Sequence, residues 1–153
     1  MTGFDHRREF LTRYCEWFIE EQISHVQNAI NLAKESAQNE QKSSAGDKHE
    51  TGKSLMQLEQ ENNSIHLQKM QNLQRVIPML QSFTPSETVK LGSIVETSIG
   101  TYFVALGIGK VQFEGMDVFV ISPASPIGKL LLSKKVGETV KFQNQLITIT
   151  KVL

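Results

Sequence analysis

Between Phe4 and about Gln41 the chain contains neither proline nor glycine, so nothing in that span interrupts a helix, and its Glu, Gln, Ala, Leu, Lys and Arg favour one. Cysteine is almost as scarce. Cys15 stands alone, which excludes an internal disulfide and a thiolate metal site and leaves a reduced, partly buried helix residue as its expected role. No apolar run approaches the ~18 residues that would span a bilayer, and Met1-Thr2-Gly3-Phe4-Asp5-His6-Arg7-Arg8 carries no apolar segment behind its charges. The expectation is a cytoplasmic protein with no membrane partner. Net charge is missing too: 16 basic and 16 acidic side chains cancel, which argues against a free-standing nucleic-acid binder that neutralises many phosphates. Through Phe83 there are 9 basic and 11 acidic side chains, and from Thr84 onward 7 and 5. Any contact with nucleic acid is therefore local, or made inside a larger assembly. At 153 residues, 39% of them hydrophobic, the chain holds one ordinary domain or one small domain plus an extended element.

In the first half, Ile19, Ile23, Val26, Ile30, Ala33 and Ala37 fall at spacings of 4, 3, 4, 3 and 4, the average period of a coiled-coil seam. A rougher stripe of Leu58, Ile65, Met70, Leu73, Ile77 and Leu80 supplies the expected partner. Between them Lys42-Ser43-Ser44-Ala45-Gly46-Asp47 is rich in turn and cap residues, and Gly46 is able to take the positive φ that closes a helix. About 35 residues at 1.5 Å each make an arm of roughly 50 Å, so the sequence predicts an antiparallel helical hairpin whose polar tip reaches into solvent or a partner. Phe4, Phe10, Tyr14, Trp17 and Phe18 sit near its base, where packing on the second domain is the simpler role. Pro78 should end or kink the second helix, and Ser82-Phe83-Thr84-Pro85-Ser86 reads as the linker.

Beyond residue 88 the period changes to two. Gly92–Ser98, Thr101–Leu106, Lys110–Phe113 and Val118–Ile121 are short runs rich in β-branched and aromatic residues, read as sequential antiparallel strands with a hairpin turn at Glu114-Gly115-Met116-Asp117. Ser125-Pro126 places a capping hydroxyl before a proline at the first helical position of a short helix, with Lys134 and Lys135 at its negative end. Two further strands follow, around Thr139–Phe142 and Leu146–Val152. The expected fold class is α+β: a coiled-coil hairpin over 1–82, then an antiparallel sheet with one short helix over 88–153.

Asp47 and Glu50 stand three residues apart at the start of the second helix, which places them on one face. Two carboxylates that close repel unless a cation lies between them, and magnesium is commonly held by one or two carboxylates together with phosphates and waters. The same spacing is also a helix N-terminus signature, Asp47 accepting from the first turn and Glu50 reaching back to the cap. Both roles stand open on spacing alone. Lys42, Lys48 and Lys53 flank the acids as solvated charges or as a basic fringe that could guide the backbone of a single strand. His6, His25, His49 and His66 show no metal-ligand spacing, and Gly107-Ile108-Gly109-Lys110 lacks the helix and hydroxyl of a phosphate loop. No Ser-His-Asp or Cys-His arrangement can be argued from the residues.

Val120-Ile121-Ser122-Pro123-Ala124-Ser125-Pro126-Ile127-Gly128-Lys129-Leu130-Leu131-Leu132, with Gly137-Glu138-Thr139-Val140 behind it, resembles the I-S-P-x-S-P-x-G-x-x-L run of the Gre transcript-cleavage factors of bacterial RNA polymerase. Gly46-Asp47-x-x-Glu50 is similar to that family's G-D-x-x-E. The resemblance implies an FKBP-like domain over 88–153 that docks at the rim of the polymerase secondary channel, with Ser122, Pro123, Ser125, Pro126 and Gly128 as its docking motif. It further implies that Asp47 and Glu50 reach through the channel and help hold a catalytic Mg2+ shared with the polymerase, so that the polymerase hydrolyses its own backtracked RNA. The implied partners are RNA polymerase and, within the complex, the nascent RNA 3′ end. The factor itself would be a monomer with no cofactor bound alone. Where the family continues with Asn and an aromatic after the Glu, this chain has Thr51-Gly52-Lys53-Ser54, and its Trp17-Phe18 helix is unlike the usual N-terminus. A channel occupant that retunes the polymerase without cleavage is one alternative; an FKBP-like binding or prolyl isomerase module with an oligomerising arm is another.

Overall fold

The computed structural model describes residues 3–42 and 48–153, with side chains over 6–39 and 54–153. The class is α+β. A long helix α1 (Gly3–Lys42) is followed by α2 (Lys48–Gln74), α3 (Val76–Gln81), β1 (Ile94–Thr97), β2 (Gly100–Val104), β3 (Gly109–Phe113), β4 (Met116–Ile121), α4 (Pro126–Leu131), β5 (Thr139–Phe142) and β6 (Gln145–Val152). Two compact units result: residues up to Phe18 together with Arg75–Leu153, and Ile19–Gln74. Residues 82–86, which read as a linker in the sequence, lie inside the first unit, where Arg8 of α1 packs on Phe83.

In the first unit the strands form one sheet in the order β3-β4-β2-β1-β6-β5. Neighbours are antiparallel with one exception that corrects the all-antiparallel expectation: β2 and β4 run parallel, Thr101 opposite Val118 and Val104 opposite Ile121. The chain leaving β2 steps out to the sheet edge to form β3. It then turns back at Glu114-Gly115, both with positive φ (49° and 79°), as the two central positions of a type I′ hairpin require. β4 thus returns into the gap beside β2 in the same direction. Gln143-Asn144, at φ 51° and 63°, closes the β5–β6 hairpin in the same way.

Alternation gives the sheet two buried faces. On one, Val95, Tyr102, Val104, Val140, Ile147 and Ile149 pack with Val89 and with Ile127 and Leu131 of α4. On the other lie the fully buried Ile94 and Phe103 with Val111, Phe113, Val118 and Val120, and here α1 is seated. The Phe113 ring meets Phe10 at 5.0 Å and His6 at 5.9 Å, while the buried Arg7 guanidinium donates to Glu96 Oε1 at 3.1 Å. Arg8 lies 3.8 Å over the Phe83 ring and donates to the Gly92 carbonyl. Gly92 sits at φ +90°, where a Cβ would come 2.6 Å from Phe83 Cδ2, so only glycine lets this loop close on that ring.

Cys15, wholly buried on α1, has its thiol pushed up to about 12 from an ordinary 9.0 by desolvation. Stability that depends on the neutral thiol is complete below pH 9.0 and drains as the pH rises toward about 12. Iodoacetamide at pH 8 should therefore leave Cys15 unmodified in the folded chain and alkylate it on addition of denaturant; mass spectrometry of the quenched protein checks this.

In the second unit the α1 stripe behaves as its spacing predicts: Ile19, Val26 and Ala33 are buried, and Ile23, Ile30 and Ala37 are half-buried. The α2 stripe divides. Met70 is buried and Leu73 half-buried, and Ile77 and Leu80 are buried on α3, but Leu58 and Ile65 are 54% and 68% exposed. Ile65 and Met70 are five residues apart, about 140° around a helix at ~100° per residue, so one face cannot hold both. The face that turns inward carries Met56, Gln60, Asn63, Leu67 and Met70, and the Asn63 Nδ2 is buried there without a partner among the described residues. Replacing Asn63 by leucine removes that unpaired donor and should raise stability by about 1–2 kcal/mol, seen as an increase of a few degrees in the thermal midpoint. The helix breaks at Arg75, between α2 and α3. Pro78 explains the place, since its ring clashes with the carbonyl four residues earlier, that of Gln74.

Candidate functional site

α1 ends at Lys42 and α2 begins at Lys48; the turn-rich segment read between them, with Gly46 and Asp47, lies outside the described residues. Glu50 is in the first turn of α2, Lys48 opens that helix and Lys53 follows Glu50 by three residues along it. Thr51 and Gly52 continue the same helix. A glycine at that position lowers helix propensity by about 1 kcal/mol relative to alanine, which makes the start of α2 a poorly self-supporting turn. The side chains of Lys42, Lys48, Glu50 and Lys53 are outside the described part. Among the described residues no three His, Cys, Asp or Glu side chains gather where a metal ion could be held, and no helix is long and apolar enough to cross a membrane.

The Ser122–Gly128 run is described completely, and its polar atoms are spent on one another. The Ser122 carbonyl accepts from the Ser125 backbone N–H at 3.1 Å and from the Ser125 hydroxyl at 2.6 Å. Ser125 Oγ in turn accepts from Gly128 N–H at 3.1 Å, capping α4 with Pro126 at its first position. Ser122 Oγ accepts from Ala124 N–H at 3.1 Å. Gly128 is buried against this turn, since a Cβ would lie 2.2 Å from the Ser122 carbonyl oxygen and 2.9 Å from Ser125 Oγ. Ser122, Ser125 and Gly128 therefore hold the turn that places α4 on the sheet. What the run offers to the outside is Ala124, Pro126 and Lys129, all exposed, with Pro123 half-buried beside them.

At the start of α1 the aromatic residues divide in the same manner. Phe10 packs on Phe113, as a base-packing role predicts, and Tyr14 follows Phe10 at 6.3 Å and meets Trp17 at 5.3 Å. Trp17, however, is 51% exposed. Gly107–Lys110 is a bend: Ile108 N–H is bonded to the Leu106 and Val120 carbonyls as the chain enters β3.

One surface was not singled out by sequence reasoning. The residues of α2 that face away from its buried side are Leu55, Leu58, Asn62, Ile65, Lys69 and Asn72, all exposed, at spacings of 3, 4, 3, 4 and 3. That regular pattern was available in the sequence, hidden because Leu58 and Ile65 had been grouped with the inward residues. No protein-family model, no curated protein and no solved structure matches the chain.

Proposed function

We propose that this chain is a transcription elongation factor of the Gre type, an accessory protein with no active site of its own. In this reading α1 and α2 form an antiparallel coiled-coil hairpin, the sheet unit is an FKBP-like module that docks on RNA polymerase, and the hairpin enters the secondary channel. Asp47 and Glu50 suit magnesium by donor chemistry: hard carboxylate oxygens, two in number, leaving the rest of the coordination sphere to the polymerase and the RNA phosphate. The shared ion would polarise the scissile phosphodiester and activate water. This chain contributes the two carboxylates.

The observation that carries the reading is position. Glu50 of the G-D-x-x-E stretch lies in the first turn of α2, the long helix that follows α1 in the chain, and the run resembling the family's I-S-P-x-S-P-x-G-x-x-L stands in the other compact unit. The test is a transcript-cleavage assay on stalled, backtracked polymerase with magnesium titrated: shortened RNA that can be extended again is expected, and unchanged RNA at every magnesium concentration overturns the cleavage role. Thr51-Gly52-Lys53 after Glu50 favours one second reading, a regulator that occupies the channel without cleavage. That factor would bind the polymerase and alter pausing or initiation while leaving transcript lengths unchanged.

A further inference from the structure

We propose that the outward face of α2 pairs with the same face of a second copy, in an antiparallel arrangement about a two-fold axis between Asn63 and Ser64. The face is an a/d seam by spacing, and its apolar members are left in water: Leu55 is 64%, Leu58 54% and Ile65 68% exposed. A groove of about 550 Å3 opens on it, lined by Ile65, Gln68, Lys69 and Asn72 with Ser64 and Leu73. The first four stand at relative positions 0, 3, 4 and 7, the outline of a hole that accepts one side chain from a facing helix. With the axis between Asn63 and Ser64, the residue brought to that hole is Leu58 of the other copy, Leu55 following it toward Asn72.

Charge selects a second copy, and selects its direction. Glu59 and Glu61 flank Leu58, and Lys69 is the basic residue of the seam. Antiparallel pairing lays the aliphatic stem of Lys69 along Leu58 of the other chain and carries its ammonium to Glu59 and Glu61 there; the two-fold axis repeats the contact. A parallel pairing would instead set Glu59 and Glu61 beside their own copies and Lys69 beside Lys69. Asn62 within the seam lowers the affinity and fixes the register, so the dimer is a reversible one, in exchange with the monomer that the resemblance implies. On the function proposed above, which this consequence alone rests on, the dimer is an idle form, since a helix pair covered by a second pair cannot enter the channel.

Sedimentation equilibrium of the full chain over a concentration series tests the pairing without polymerase. The apparent mass should rise from 17.2 kDa toward twice that value. Ile65→Lys should hold it at the monomer mass with an unchanged helical circular-dichroism signal, because the residue is exposed within each chain. Lys69→Glu should weaken association about tenfold through two symmetric ion pairs, and adding Glu59→Lys with Glu61→Lys should restore it. Direction is read by oxidative cross-linking: a Leu58→Cys chain mixed with a Lys69→Cys chain should form the mixed disulfide. Neither should self-link, since like positions lie about 16 Å apart along the axis, beyond disulfide reach. A chain that stays monomeric at every concentration, or one that self-links at 58 and at 69, overturns the proposal.

Discussion

Replacing Asp47 and Glu50 together by alanine should lower the rate of transcript cleavage by backtracked polymerase by about a hundredfold or more, the scale of losing the groups that complete a metal site, while binding to the polymerase stays intact. On the proposed function the sheet unit, which carries the Ser122–Gly128 turn, would hold the polymerase, so a variant at Asp47 and Glu50 should compete with the parent chain at full strength. Helix capping is the rival explanation for both acids, and a second variant separates the two. Asp47→Asn with Glu50→Gln keeps side-chain oxygens that can accept from the first turn of α2 but removes both charges. If capping were the whole role, that pair would restore activity; on the metal role it stays inactive. Each single variant should recover part of its activity as magnesium is raised, because its defect is one of ion affinity. A double alanine variant that shortens transcripts as fast as the parent would end the catalytic assignment.

Gly128→Ala should be the most damaging single methyl in the sheet unit. The added carbon would sit 2.2 Å from the Ser122 carbonyl oxygen and 3.1 Å from the Pro123 carbonyl carbon, and neither is the end of a flexible side chain. Relief requires either opening the Ser122–Ser125 turn, with loss of the 2.6 Å hydroxyl bond, or lifting α4 from the core that buries Ile127 and Leu131. The expected cost is about 3 kcal/mol or more. At roughly 2–4 °C per kcal/mol for a chain of this size, the thermal midpoint should fall by about 6 °C at least. Ser125→Ala removes the cap bond without a clash and should cost only about 1 kcal/mol. Gly137→Ala is the control for glycine itself: nothing lies within 4 Å of its added carbon, and only its φ of +91° resists, a backbone cost of about 1–2 kcal/mol. If Gly128→Ala melts no lower than Gly137→Ala, the close approach at Ser122 is not what holds α4 in place.

Features set by neighbours in the chain were legible in the residues. The period of Ile19 to Ala37 is a property of one helix and survives wherever that helix is placed. The Ser125 cap, the proline after it and the Glu114-Gly115 hairpin are decided within a few residues, by hydrogen bonds and φ preferences that act locally. Gly46-Asp47-x-x-Glu50 is legible in the same sense, as a chemical pattern at a break between helices.

Other features depended on what stands opposite. Leu58 and Ile65 on one side of α2, and Met56, Asn63 and Met70 on the other, are two stripes of similar strength, and one sequence cannot say which will be covered. Tertiary packing chose the second and left Asn63 with an unpaired amide. The parallel pairing of β2 with β4 has no local signature, because strand direction follows from where β3 is laid down. The seating of α1 on the sheet through Phe10, Arg7, Phe113 and Glu96 joins residues about 90 to 100 positions apart. By itself the sequence determined which segments are helix or strand. The folded chain decided which faces are buried, because burial is a property of contact between distant segments and local periodicity records only one side of each contact.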